Sequence, residues 1–331
     1  MTNPTRPTPV FLDCDTGIDD ALALAWLTGR PGIDLVGVGV VSGNVDAPRA
    51  GRNTLDLLAV LGNDRTPVAV GPTDFWSRPF HGGAPHVHGR NGIGDVELPT
   101  TDREVEDESA AELLVRLSHE HAGALRVLAI GPLTNLAHAL RLDPTLPSRV
   151  EDVTVMGGAF LVRGNVSPLA EANIHNDPEA ADLVYAAPWD VTTVPLDVTT
   201  GHRFTEEHIT ALADSGSGAA QHIGRMLDVY ADFYATVYQD RVAILHDPLA
   251  AAVMTGDLEV TASLHLPVHV IGGDGPDRGV TKVELPVRAT PERRAGTVVL
   301  AVDRPFADLL AAHVAGLPDA GLPVAGEATR P

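Results

Sequence analysis

The chain has 331 residues, enough to bury a large core in one domain or two, and its composition, 44% hydrophobic and 20% charged, is that of a folded protein. A formal net charge of −21 argues against nucleic acids and anionic membrane surfaces as partners, because both reward basic patches. One cysteine (Cys14) excludes an intrachain disulfide, one lysine (Lys282) nearly excludes Schiff-base and Walker-lysine chemistry, and no apolar run reaches the roughly 18 residues of a bilayer span.

The first ten residues are polar and Pro-rich and lack a hydrophobic signal core, so the expectation is a soluble cytoplasmic protein. The chain has no internal repeat at solenoid periods. An apolar run, Val10 to Leu12, leads into Asp13-Cys14-Asp15-Thr16-Gly17-Ile18-Asp19-Asp20 and then an Ala/Leu-rich helical run from Ala21. Strand, Gly turn and helix open a βαβ unit, and open α/β sheets bind ligands at the carboxyl ends of their strands. Four carboxylates so close together repel one another unless a hard, oxygen-liganding cation such as Ca²⁺ or Mg²⁺ joins them. Other readings remain open here. Asp19 and Asp20 suit the first turn of a helix, and Asp13 and Asp15 suit a solvated loop. Asp13 also suits the attacking carboxylate of a haloacid dehalogenase-type phosphatase.

Ile33 to Val41 reads as a buried parallel strand, which leaves Asn44 at its carboxyl end beside the acids. A helix is expected over Arg49–Leu61 and a short strand over Pro67–Val70. Residues 71–107 form a long loop rich in Gly, Pro and His (His81, His86, His88), which suits a flap over a substrate better than a zinc site. Glu108–His121 is helical, and Leu125–Ile130 is a strand that enters Gly131-Pro132 and a helix to Leu142, so the Ile130 carbonyl lies at the same sheet edge. Val153–Met156 is the next strand. The loop from Gly164 to Pro178 offers Asn165, Glu171 and Asn173, groups that hydrogen-bond polyols, whereas Asp177 before Pro178 suits a helix cap.

A strand is expected over Val191–Val198, a helix over Thr205–Asp214, a flexible break at Ser215–Gly218, and a long helix over Gln221–Gln239. Tyr230, Tyr234 and Tyr238 recur at i+4 and share one stripe, either a packing face or a wall for a planar ligand. His246 and Asp247 open the next helix, where His246 suits an acid or donor. β character follows over Ser263–Ile271, Thr281–Val287 and Thr297–Val302, then a helix over Arg304–Ala315. The fold expected is a single α/β domain spanning 1–331, with a mostly parallel, open central sheet, helices on both faces, a core over about 8–316 and a loose tail over 318–331.

Asp13-Cys-Asp15-Thr-Gly17-Ile-Asp19-Asp20-Ala strongly resembles the signature of the nucleoside hydrolases, the inosine/uridine-preferring N-ribohydrolase family. The resemblance runs in order through Gly43-Asn44, Gly131-Pro-Leu-Thr-Asn135, Met156-Gly-Gly158, Asn165…Glu171-Ala-Asn173 and His246-Asp247-Pro248. It implies Ca²⁺-dependent hydrolysis of a ribonucleoside to ribose and free base, in nucleoside salvage or catabolism, by a homo-oligomer such as a dimer or tetramer. The resemblance assigns Ca²⁺ to Asp15, Asp20, the main-chain oxygen of Ile130 and Asp247, with Asp15 also the general base. It assigns the ribose to Asp19, Asn44, Asn165, Glu171 and Asn173, with Met156 nearby, and places Asp13 behind the loop. His246 would face the leaving base, His88 would approach it from the flap, and Tyr230 and Tyr234 would wall the pocket. His246 points to the branch of nonspecific and pyrimidine-preferring members, and Ala172 stands where many members of the family carry an aromatic. Two rival functions are an inactive ribose- or Ca²⁺-binding relative and the Asp13 phosphatase.

Overall fold

Apolar runs rich in Val, Ile and Leu form the strands, and Gly or Pro punctuates them. The computed structural model describes residues 7–285 and 293–318. The first half contains β1 (Thr8–Cys14), α1 (Ile18–Leu27), β2 (Ile33–Val40), α2 (Ala47–Val60), β3 (Val68–Val70), the single-turn α3 (Pro85–His88), α4 (Ala110–Glu120), β4 (Leu125–Ala129), α5 (Thr134–Leu142) and β5 (Val150–Met156). Next come α6 (Ala172–Asn176), α7 (Pro178–Ala186), β6 (Val191–Val194), α8 (Leu196–Thr199), β7 (Arg203–Thr205), α9 (Glu206–Ala213) and α10 (Gly218–Tyr238). The chain continues with β8 (Val242–Ile244), α11 (His246–Met254), β9 (Val260–Leu266), β10 (Val268–Val270), β11 (Thr281–Val283), β12 (Gly296–Val302) and α12 (Ala307–Ala315).

Eight strands form the central sheet in the order β3-β2-β1-β4-β5-β6-β12-β9, parallel except where β9 pairs with β12. β1 is where the order reverses, running outward through β2 and β3 on one side and through β4, β5 and β6 on the other. Such a reversal opens a crevice at the carboxyl ends of the strands. Alternation along β1 divides its side chains between two cores: Val10 and Leu12 join the layer containing α1, α2, α10 and α11, and Phe11 joins the layer containing α4, α5 and α7. The expected α/β fold, with helices on both faces of a mostly parallel sheet, is the observed one.

The exceptions have local causes. The strand expected over Val191–Val198 stops at Val194, because Pro195 cannot donate to the ladder, and Leu196–Thr199 turns into α8. The stretch expected over Ser263–Ile271 splits at Pro267 into β9 and β10, which belong to different sheets. The expected break at Ser215–Gly218 is the start of α10, where Ser217 Oγ accepts from Ala220 N at 3.4 Å. The end of the strand expected over Thr281–Val287 and nearly all of the tail expected from 318 lie outside the described residues.

Candidate active site

β1 ends at Cys14, and the next three residues turn sharply into α1. Thr16 takes φ +32°, a conformation uncommon for a side-chain-bearing residue, and its hydroxyl lies 2.7 Å from Thr54 Oγ1 of α2. Asp20 stabilises the turn from within the helix: its carboxylate accepts from Gly17 N at 2.7 Å and from Asp15 N at 3.2 Å. Asp15 Oδ2 accepts from Asn44 N at 2.7 Å, and Asn44 Nδ2 donates to Asp20 Oδ2 at 3.3 Å, so the end of β2 is tied to the acids as expected. A Cβ on Gly43 would lie 2.0 Å from Asp15 Oδ2, which explains the glycine at this approach.

Oxygens of Asp19, Asp20 and Asp247 all lie within 4.8 Å of one another, and all three residues are buried. Asp247 sits in the first turn of α11, whose N-cap is Leu245. Burial and the facing carboxyls of Asp19, Asp20 and Asp15 raise its pKa well above the ordinary value. Burial and Asp20 likewise raise Asp15 well above it and push Asp19 up to about 8. Asp15 Oδ1 is buried without a hydrogen-bond partner. Carboxylates gathered out of water, with an oxygen left bare, fit a hard oxygen-liganding cation, whose charge removes both penalties. The three-residue group contains Asp19 in addition to the expected Asp20 and Asp247, with Asp15 directly beside it. The Ile130 carbonyl already accepts from Asn173 Nδ2 at 2.7 Å and keeps one lone pair free.

Asp13 does lie behind this loop. It is 0% exposed, its Oδ1 accepts from Asn135 Nδ2 at 2.7 Å, and burial pushes its pKa up to about 8. A carboxyl sealed in this way has no access to a phosphate ester, which removes the phosphatase reading.

On the β5 side, Glu171 caps α6. Its carboxylate accepts from Asn173 N at 2.8 Å, Ile174 N at 3.1 Å and Gly158 N at 3.0 Å. Asn173 also donates to Met156 O at 3.2 Å and lies 3.7 Å from Met156 Sδ. Asn165 is different: it is exposed, and its Oδ1 accepts from Ala172 N at 2.9 Å, at the start of α6 and away from the acids. Asp177 is the expected cap, accepting from Ala180 N at 3.2 Å as well as from Trp76 N and Thr134 Oγ1.

The opposite wall comes from α3, α10 and α11. His88 Nδ1 accepts from Ile18 N at 3.1 Å, so its neutral ring carries the proton on Nε2, and burial first and His246 second hold its pKa down at about 3. Its ring lies 5.4 Å from that of Tyr230. His246 is 2.8 Å from Thr199 Oγ1 through Nδ1 and 2.9 Å from the Tyr234 hydroxyl through Nε2. The Tyr234 hydroxyl is 3.5 Å from that of Tyr230, whose side chain lies close to the Asp19 carboxyl. Burial keeps His246 neutral, with its pKa at about 3. The result is a chain of proton-bearing groups from Thr199 through His246 and Tyr234 to Tyr230, which ends near the acids. Sequence reasoning missed Thr199, because the strand expected through Val198 hid the turn that delivers it.

The profile described as inosine-uridine preferring nucleoside hydrolase matches residues 10–307. "Uridine nucleosidase 1" of Arabidopsis thaliana is 39% identical over 75% of this chain and 74% of its own length. The inosine-uridine preferring nucleoside hydrolase of Leishmania major is 34% identical over 84% of this chain and 88% of its own. A solved plant nucleoside hydrolase superposes with a TM-score of 0.88 at 32% identity, over 94% of this chain and 99% of that one. With the acid cluster at the carboxyl end of β1 and a match this long, the chain belongs to the inosine-uridine preferring nucleoside hydrolase family.

Proposed function

We propose that this single-domain protein hydrolyses the N-glycosidic bond of ribonucleosides, uridine first among them, in a Ca²⁺-dependent reaction. The observation that carries the reading is the bare, buried Asp15 Oδ1 next to the oxygens of Asp19, Asp20 and Asp247. Asp15, Asp20, Asp247 and the Ile130 carbonyl would hold the ion, with Asp19 close enough to share it or to meet a sugar hydroxyl. When bound, calcium offsets the carboxylate repulsion, orients water and sugar oxygens, and modestly acidifies that water. The preference for uridine rests on the relatives named uridine nucleosidase.

In the reaction the C1′–N bond breaks, a water oxygen bonds to C1′, and the proton of that water passes to Asp15. Positive charge grows on the ribose as the bond opens, and the ionised Glu171 stabilises it. Asn44, Asn165, Asn173 and Asp19 hold hydroxyls, and Met156 floors the sugar. The departing base takes a proton or hydrogen bond from the His246–Tyr234–Tyr230 chain or from His88 Nε2–H. A positioned donor is worth on the order of 10²–10⁴ in rate.

Asp15→Ala is expected to abolish reducing-sugar release from uridine, cytidine and inosine while leaving the circular dichroism spectrum unchanged. A chelator should silence the wild type, and Ca²⁺ should restore it. Full activity in Asp15→Ala, or in the chelated enzyme, would overturn the reading.

A further inference from the structure

The β10–β11 hairpin contributes no residue to the site above, yet its segment 278–281 grips the sugar-side loop at its start, middle and end. Thr281 Oγ1 accepts from Ala159 N at 3.1 Å and donates to Ala159 O at 2.9 Å. Val280 pairs with Ala170 in an isolated antiparallel bridge. Arg278 is only 5% exposed and uses its whole guanidinium: Nε donates to His175 O at 3.1 Å, Nη2 to Asn176 O at 3.1 Å, and Nη1 to Gly273 O at 2.9 Å and Glu179 Oε1 at 3.1 Å.

His175 and Asn176 are the last two residues of α6. A five-residue helix satisfies almost none of its own carbonyls, and a cation at its carboxyl end also opposes the dipole. Gly279 takes φ +77°, and a Cβ there would lie 2.7 Å from His175 Cα, so glycine is what allows the hairpin to come this close. At the other end of the helix Glu171 is the cap, and from its middle Asn173 reaches Ile130 O and Met156 O. α6 is therefore held from inside the site by Glu171 and Asn173 and from outside it by the Arg278 guanidinium.

We infer that Arg278 is a positioning residue for the hydrolysis, one that sets the register of α6 and so presents Glu171 and Asn173 to the sugar. The inference rests on the functional reading above. Lysine cannot replace this arginine, because it keeps the charge and loses the fork that reaches several acceptors at once.

The test compares wild type, Arg278→Lys and the milder Thr281→Val, each as the full chain with Ca²⁺ present. Amide hydrogen exchange at Asn173 and Ile174, the N–H groups that Glu171 caps, should quicken on the order of tenfold in Arg278→Lys, with exchange in β1 and α1 unchanged. The kcat/KM for uridine should fall roughly ten- to hundredfold, mainly through kcat. Discrimination against analogues of uridine lacking the 2′-, 3′- or 5′-hydroxyl should shrink, which a general loss of stability would not produce. Thr281→Val should show the same pattern more weakly, and it carries the test if Arg278→Lys does not fold. Unchanged exchange at α6 overturns the inference, and so does faster exchange with unchanged kcat and hydroxyl discrimination. Absence of nucleoside turnover by the wild type would count against the functional reading instead, and the exchange measurement would still decide whether Arg278 holds α6.

Discussion

At the scale of single residues, the site combines groups held neutral with groups that need a counter-charge. His246 has both ring nitrogens engaged and a pKa near 3, so at neutral pH it passes a proton on and is not a stored acid. Its usefulness depends on the Tyr234 hydroxyl at 2.9 Å. Tyr234→Phe removes that hydroxyl with little change in shape. Turnover of uridine should fall by about 10²-fold, whereas a riboside with an activated aryl leaving group, which needs no proton, should be cleaved at close to the wild-type rate. Equal losses on both substrates would refute a role in protonating the base.

At the scale of elements, short pieces of secondary structure aim the candidate functional groups, and one of those groups is itself a helix cap. Glu171 caps α6 through two backbone N–H groups, Asn173 and Ile174, and ties that helix to the end of β5 through Gly158 N. Glu171→Ala should therefore lower stability by about 1 kcal/mol, the usual value of a lost cap, as well as activity, and thermal melting would read the first effect separately. A melt identical to wild type would mean that the cap contributes nothing. The sequence places Glu171 and Asn173 together, but it does not reveal that the helix they define is five residues long and supported from the hairpin. It also hides the turn after Pro195 that brings Thr199 to His246, since Val191 to Val198 reads in the sequence as one strand.

At the scale of the whole molecule, β1 carries a cluster of acids into the middle of a large core, and the folded state bears the cost. Burial pushes Asp13 and Asp19 up to about 8, far above the ordinary carboxyl value of 3.8, so the folded protein holds protons there that the unfolded chain has released. Stability from this source is fully present below about pH 4 and is lost as pH rises through 8. His88 and His246, at about 3 against 6.5, act in the opposite sense: their contribution is present above about pH 6.5 and is lost as pH falls toward 3. The chelated protein should accordingly melt lower at pH 8 than at pH 6. At one fixed concentration, about 100 times its dissociation constant at pH 8, Ca²⁺ should add roughly 2.7 kcal/mol at pH 8 and less at pH 6, where protons compete for the carboxyls. An equal gain at both values would show that the ion does not meet these carboxyls. No helix among the described residues is long and apolar enough to cross a membrane. Local chemistry and spacing in the chain were enough for the α/β class, the acid turn after the first strand and the tyrosine stripe, because strand and helix periods and Gly turns are short-range properties. Which oxygens meet, which histidine nitrogen is occupied, and that Arg278 reaches the end of α6 from about a hundred residues away were decided only when the sheet brought distant strand ends side by side, since hydrogen-bond geometry between such segments exists only in the folded state.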